Sequence, residues 1–139
     1  AEYNSQNWYG LYEKQRNYAE DKGISSSVKS SMMWTSQHHA MLNWVLQGSD
    51  ADKVDKSSVM HGTDPTGTEI DGVADVINNI YDLGNNLYEW TLGAIDDWDR
   101  VYMGSNFNYE DPPCDFHGNS PRLTSNVYGT RLSLYIKVQ

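Results

Sequence analysis

The chain of 139 residues is long enough for one domain with a single hydrophobic core. Its net charge of −9 argues against nucleic acid and acidic membrane surfaces as partners, because both favour a basic face. No apolar run approaches the ~20 residues that span a bilayer, so membrane insertion is not expected. The single cysteine, Cys114, cannot form an intrachain disulfide. Because the sequence begins at Ala1 without a methionine, we expect residues 1–139 to be one domain from the C-terminal part of a longer protein.

Two amphipathic helices are predicted in the first third of the chain. Residues 8–22 carry apolar and aromatic side chains at spacings of three and four, and Gly23 is a suitable terminator for this helix. The Ser-rich residues 25–31 predict a polar connecting loop. A second helix follows, with Thr35 or Ser36 as its N-cap.

The remainder of the chain predicts short strands within long loops. Residues 49–72 are polar and Gly-rich, which predicts a long loop. Alternating apolar and polar residues predict strands at residues 87–92, 100–104 and 131–137. Helices followed by strands indicate the α+β class.

Aromatic side chains are expected to build the core, because only 38 % of the residues are hydrophobic. The five tryptophans and ten tyrosines bury large areas per residue. We assign Trp34, Trp44 and Trp90 to the core. The same residue types also suit binding surfaces, so the aromatic content is compatible with both roles.

Four segments resemble motifs of the formylglycine-generating enzyme (sulfatase-modifying factor) family. The segment NIYDLGNNLYEWT at residues 79–91 resembles the family signature N-x-Y-D-x-x-G-N-V-W-E-W-T. The segments RVYMGS at residues 100–105 and YGTRL at residues 128–132 resemble the strand R-V-x-R-G-G-S and the terminal G-F-R. The segment MWTSQHHAMLNW at residues 33–44 resembles a family helix, in a variant found in prophage and bacterial surface proteins.

The resemblance covers nearly the whole chain and implies a C-type-lectin-like fold of two helices, a small twisted antiparallel sheet and long loops. Catalytic members of the family hold a copper ion with two cysteines, and both are needed. The corresponding positions are Asn108 and a position near Pro113, so with Cys114 alone we expect neither catalysis nor a required cofactor. The adjacent His38 and His39 point about 100° apart on a helix, which does not fit an iron site.

The resemblance also implies a calcium site around the turn before Trp90. The matching ligands are the side chains of Asp82 and Glu89 and the carbonyl groups of Asn85 and Leu87, and hard oxygen ligands of this kind suit Ca²⁺. The alternative is that Glu89 caps backbone amides and Asp82 faces solvent.

Residues 104–136 use a restricted set of amino acids. They contain no Lys, Gln, Met or Trp, and Glu110 is their only Glu. Codons of the form NNC encode every residue there except Glu110. Diversity-generating retroelements produce this pattern when they mutagenise AAC codons near the C-termini of C-type-lectin-fold proteins, and those variable proteins resemble this chain. Chance depletion in a Pro- and Gly-rich segment is an equally good explanation.

Aromatic residues in this segment alternate with small hydrogen-bonding residues, an arrangement typical of a loop-borne recognition surface. The predicted ligand-binding residues are Ser105, Asn106, Phe107, Asn108, Tyr109, Asp115, Phe116, His117, Asn119, Asn126 and Tyr128. The alternative for some of these aromatic residues, Tyr128 above all, is that they cover the core. Arg122 and Arg131 are expected to pair with acidic groups beneath the loops.

These observations predict a non-catalytic receptor-binding or ligand-binding domain of a phage tail fibre or tip, or of a bacterial surface protein. The predicted partner is a host-cell surface receptor, either a protein or a glycan. A position at the end of a fibre implies a homotrimer. The alternative function is a structural or assembly domain of a phage particle.

Overall fold

The computed structural model describes residues 6–47, 83, 86–106 and 114–137, together with the short strands between residues 62 and 81. The architecture of these residues is α+β. In chain order the elements are α1 (Trp8–Asp21), β1 (Val28–Met32), α2 (Thr35–Leu46), β2 (Gly62–Thr63), β3 (Glu69–Ile70), β4 (Val76–Ile77), β5 (Ile80–Tyr81), β6 (Tyr88–Ala94), β7 (Arg100–Met103), β8 (Phe116–Asn119), β9 (Tyr128–Thr130) and β10 (Leu132–Ile136).

Helix α1 begins and ends where the sequence supplies its caps. The Oδ1 atom of Asn7 accepts a hydrogen bond from the backbone N–H of Gly10 at 3.0 Å. At the other end Gly23 adopts a φ of 63°, and the N–H groups of Gly23 and Ile24 donate to carbonyl groups of the last turn at 2.9 Å. Glycine suits this position because other residues rarely adopt such a φ. The predicted helix and its terminator are therefore confirmed.

Helix α2 is confirmed, but its predicted N-cap is wrong. The N-cap is Trp34, and its backbone N–H donates to Oε1 of Gln37 at 2.8 Å. Thr35 is already the first helical residue, and its hydroxyl lies 2.8 Å from the hydroxyl of Thr91 in β6. The bond to the sheet takes the Thr35 hydroxyl away from a capping role.

The assignment of three tryptophans to the core holds for only one of them. Trp90 is fully buried, whereas Trp34 is 54 % exposed and Trp44 is 56 % exposed. Helix α2 presents Leu42 and Val45 to the core, and steps of about 100° along a helix place Trp44 on a different face from Leu42. Trp34 precedes the helix, outside its buried face.

The strands form small sheets with one arrangement that the sequence did not predict. The larger sheet has the order β8-β7-β6-β9, and β1 pairs with β10 in an antiparallel pair. Strands β2 with β3 and β4 with β5 form two further antiparallel pairs. Within the larger sheet β6 and β9 run parallel, so the prediction of an antiparallel sheet is wrong for this pair. Strand β9 reaches β6 after a long connection, and no hairpin forces the two strands to run in opposite directions.

The predicted strands β6, β7 and β10 are confirmed, whereas β1, β8 and β9 were missed. Strand β1 falls in the predicted Ser-rich loop, and β8 and β9 fall in the turn-rich segment. Each of these strands is defined by its partner, because short polar strands acquire their conformation from pairing and packing. The predicted loop at residues 49–72 contains β2 and β3, and its other residues lie outside the described part of the chain.

The two helices contact opposite faces of the larger sheet. Trp90 packs in one cluster with Trp8 and Leu11 of α1. The neighbouring residue Glu89 bonds instead to His38 of α2, as expected when successive strand side chains alternate between faces. No helix among the described residues is long and apolar enough to cross a membrane.

Candidate functional site

An aromatic stack fixes the centre of the larger sheet. The rings of Trp90 and Tyr128 stack with centroids 4.8 Å apart, and Tyr102 meets both rings edge-on at 5.5 and 5.1 Å. The hydroxyl of Tyr128 accepts a hydrogen bond from Nδ2 of Asn119 at 3.3 Å. Tyr128 is only 5 % exposed, so it covers the core, as the alternative reading of this residue proposed.

A partly buried polar network on the other face joins β6 to α2 and to the residue before β10. The Nε atom of Arg131 lies 2.7 Å from Oε2 of Glu89, and Nε2 of His38 lies 3.1 Å from the same oxygen. Burial raises the pKa of Glu89, but the charge of Arg131 and the bond to His38 outweigh it and hold the pKa below its ordinary value of 4.5. The predicted pairing of Arg131 with an acidic group is confirmed, whereas the side chain of Arg122 is exposed.

In this arrangement the Glu89 carboxylate is bound by protein partners, and the calcium site stays a prediction. Both of its carboxylate oxygens lie within 2.7 Å of Nε of the cationic Arg131. Asp82 and Asn85 lie outside the described residues, and Leu87 is half-buried. In the part of the chain that is described, no three His, Cys, Asp or Glu side chains converge to hold a metal ion.

The predicted ligand-binding residues fall into four groups. Three are buried, namely Ser105, Asn106 and Tyr128. Two are half-buried, namely Asp115 and Asn119. Three are exposed, namely Phe116, His117 and Asn126. The remaining three, Phe107, Asn108 and Tyr109, lie outside the described residues.

The exposed members occupy β8 and the connection that follows it. Phe116 is 57 % exposed, and the exposed ring of His117 stacks on Tyr102 with centroids 5.5 Å apart. Strand β8 is an edge of the larger sheet as described, and it pairs with β7 from Arg100 to Met103. The register places Phe116 on the same face as Met103, which is the face that contacts α2.

A shallow groove lies on this face, beyond the N-terminus of α2. It has a volume of about 500 Å³, and Trp34, Ile95 and Phe116 line it together with His39 and Val101. Ile95 reaches across β8 because residue 118 is glycine, and a Cβ atom at that position would collide with the Ile95 side chain. We call this feature the Trp34–Phe116 groove.

The sequence predicted one member of this groove, Phe116, and missed Trp34 and Ile95. Trp34 was missed because a tryptophan flanking a helix was assigned to the core. Ile95 carried a signal that was not used: it ends the apolar run Leu92–Ile95 and is followed directly by Asp96 and Asp97.

Comparison with models of known protein families and with curated protein sequences found no match. The geometry itself defines the class of protein. It is an α+β domain with an aromatic core and an exposed aromatic groove beside an edge strand. Cys114 is a free, exposed cysteine.

Proposed function

We propose that this chain is a non-catalytic ligand-binding domain with a C-type-lectin-like fold of the formylglycine-generating enzyme family, carried by a phage tail fibre or a bacterial surface protein. The two helices with β1 between them and short strands after them support the fold, as does the pairing of β1 with the last strand, β10. The segment that resembles the family signature forms β6, which lies at the centre of the larger sheet and carries Trp90 and Glu89.

The observation that carries the proposed function is the exposure of Phe116 within an apolar groove. An aromatic ring that is 57 % exposed contributes little to folding, because most of its surface stays in water. Trp34 and Ile95 beside it are also more than half exposed. Contiguous exposed apolar surface of this kind marks a binding site in a folded domain, and rigid aromatic rings give contact area at low entropic cost.

The anchoring of the flanking residues supports a role for the connection after β8 in recognition. Tyr128 and Arg131 hold the chain after this connection to the core, through the aromatic stack and through Glu89. Exposed residues between anchors can change without loss of core packing, as a diversified binding surface requires. The partner that we propose is a host-cell surface receptor, and a fibre position favours a homotrimer.

The absence of a cysteine pair supports a non-catalytic role. Oxidation of a substrate cysteine by the family's copper enzymes needs two thiolate ligands, and this sequence contains a single cysteine. The half-buried carboxylate of Glu89 is committed to Arg131 and His38, so it is not available as a general base.

A second function, in the assembly of a phage particle, is favoured by the surface of β10. Leu134 and Ile136 lie on the face that α1 covers over β1, yet they are 52 % and 74 % exposed. Tyr135 on the opposite face is 52 % exposed. An apolar edge strand of this kind is suited to a contact with another subunit.

Sequencing the gene from many independent isolates separates the two functions. If the domain is a diversified binding module, substitutions concentrate at AAC-derived codons within residues 105–128. Substitutions spread evenly along the chain contradict diversification and favour the assembly role.

A binding measurement tests the recognition surface directly. Fluorescently labelled domain is applied to a panel of bacterial cells from the habitat of the gene, and retention is measured by flow cytometry. We expect Phe116→Ala to abolish retention and Trp44→Ala, which removes an exposed tryptophan outside the groove, to preserve it. Equal retention of both variants contradicts the proposed surface.

A further inference from the structure

The lining of the Trp34–Phe116 groove defines what it can hold. Trp34, Ile95 and Phe116 offer apolar surface, and His39 is the one titratable side chain among the lining residues that are described. No lysine or arginine lines the groove within the described residues. A volume of about 500 Å³ suits one or two large apolar side chains of a partner.

A turn with three aspartates borders the groove at Ile95. Oδ1 of Asp96 accepts hydrogen bonds at 2.8 Å from the backbone N–H groups of Trp98 and Asp99, which fixes the turn. Asp97 is exposed, and the Asp99 side chain lies against Gly118 beside Ile95. Trp98 is 80 % exposed at the tip of the turn. We call this segment the acidic turn.

Among the described residues the ion pairs are those of Glu89, and none involves an aspartate of the acidic turn. The neighbouring basic residue, Arg100, pairs in register with Asn119 and projects to the opposite face of the sheet. Its guanidinium lies 5.4 Å from the ring centroid of Trp8 in α1. The groove is therefore apolar at its centre and negative at one edge. At that edge the exposed indole of Trp98 can face a cation.

We propose that the Trp34–Phe116 groove binds a basic, apolar peptide segment of a partner protein. An aromatic or branched side chain of the segment fills the groove against Trp34 and Phe116. A lysine or arginine next to it lies beside Asp97 and Asp99 and contacts the Trp98 ring. This proposal rests on the proposed function, because it names the class of ligand for the same surface.

Charge distinguishes this ligand from the other classes that a receptor could offer. A nucleic acid, a teichoic acid or a sialylated glycan is anionic and is repelled by the acidic turn. A neutral glycan can stack on Trp34 or Phe116, but it draws no benefit from the carboxylates of Asp97 and Asp99. A basic peptide uses both features, so complementarity of charge and apolar shape favours it.

Matched peptide libraries test the proposal. Acetylated and amidated octapeptides, in which Leu or Phe alternates with Lys or Arg, are compared with sets in which Gln or Glu replaces the basic residues. Binding to the purified domain is measured by fluorescence anisotropy up to about 1 mM peptide, a range that covers weak and transient contacts. We expect only the basic set to bind and its affinity to fall in about 0.5 M NaCl, because salt screens exposed charges.

Variants assign the binding to the groove. We expect Trp34→Ala and Phe116→Ala each to weaken binding of the basic set at least about tenfold, because each removes a central aromatic contact. The double variant Asp97→Asn, Asp99→Asn should weaken it about threefold to tenfold, as exposed charge pairs contribute modestly. Trp44→Ala is the control for loss of an exposed tryptophan, and the double variant Glu20→Gln, Asp21→Asn on α1 is the control for net charge.

The outcomes separate this proposal from the proposed function. The basic-peptide ligand is overturned if the basic set does not bind, or if the Gln set binds equally well. It is also overturned if the Asp97→Asn, Asp99→Asn variant and the Glu20→Gln, Asp21→Asn variant change the affinity equally. If Phe116→Ala still abolishes retention on cells in those cases, the domain is a binding module for another ligand class. Retention on cells that is indifferent to Phe116 overturns the proposed binding surface itself.

Discussion

Residues 116–126 and residues 128–131 are neighbours in the sequence, yet the first stretch is largely displayed to solvent, with only Pro121 buried, and the second is anchored in the core. Both draw on the same restricted set of amino acids. Phe116 is 57 % exposed and Tyr128 is 5 % exposed, although both are aromatic residues at the start of short strands. Both strands lie at edges of the larger sheet, so the difference arises from the face that each ring occupies. Tyr128 packs with Trp90 on the face that α1 covers, whereas Phe116 lies on the other face, in the open groove beyond the N-terminus of α2. What packs against each ring, and not residue type, separates the anchored residue from the exposed one.

The largest expected effect on stability is that of replacing Trp90, at the centre of the anchored region. Trp90→Ala should lower the free energy of unfolding by about 3–5 kcal/mol, because it leaves a cavity among stacked aromatic rings. Trp90→Phe should cost less, since it retains a ring and removes an indole N–H that has no hydrogen-bond partner among the described residues. Urea unfolding measures both changes. If Trp90→Ala lowers the free energy of unfolding no more than the exposed Trp44→Ala does, the contrast between anchored and exposed aromatic residues is contradicted.

Breaking the polar anchor should have the next largest effect. Glu89→Ala leaves Arg131 and His38 without their shared acceptor, and we expect a loss of about 2–3 kcal/mol, reduced somewhat because the carboxylate is 13 % exposed. Arg131→Met should cost a similar amount, and the double variant should cost less than the sum of the two. Additive losses in the urea-unfolding cycle would show that the pair is not coupled.

A smaller, pH-dependent effect follows from the lowered pKa of Glu89. In the unfolded chain this carboxyl binds its proton near its ordinary value of 4.5, whereas the folded chain holds the pKa lower. The ion pair therefore contributes its full stability above the unfolded pKa and loses it as the pH falls through the folded pKa. Unfolding free energies of wild type and Glu89→Gln should converge between about pH 6 and pH 3. A gap between them that stays constant contradicts the assignment.

The smallest effects are expected in the displayed stretch. Phe116→Ala, His117→Ala and Asn126→Ala should each change the free energy of unfolding by no more than about 0.5 kcal/mol, because these side chains remain largely in water. Tyr128→Ala is the matched comparison and should cost about 3 kcal/mol, as expected for a buried aromatic residue. Thermal unfolding checks the series. A displayed variant as costly as Tyr128→Ala would place its side chain in the fold and not in the binding surface.

The sequence by itself determined the elements whose signals are local. Asn7 and Gly23 set the ends of α1 through their own backbone and side-chain chemistry, and alternation identified β6, β7 and β10. The α+β class followed from the order of these elements. The pairing of Arg131 with an acidic group was also predictable, through the resemblance to a family in which an arginine occupies this position.

Tertiary structure decided which aromatic residues are buried and where the groove lies. Trp34, Trp44 and Trp90 look alike in sequence, but only Trp90 lies on a strand that is covered by a helix. Strands β1, β8 and β9 exist through their partners, and the parallel pairing of β9 with β6 depends on a connection whose path has no local code. The groove joins residues from α2, β6 and β8 that are far apart in the chain. A side chain is buried because other parts of the chain pack against it. A single sequence does not show which residues will be in contact.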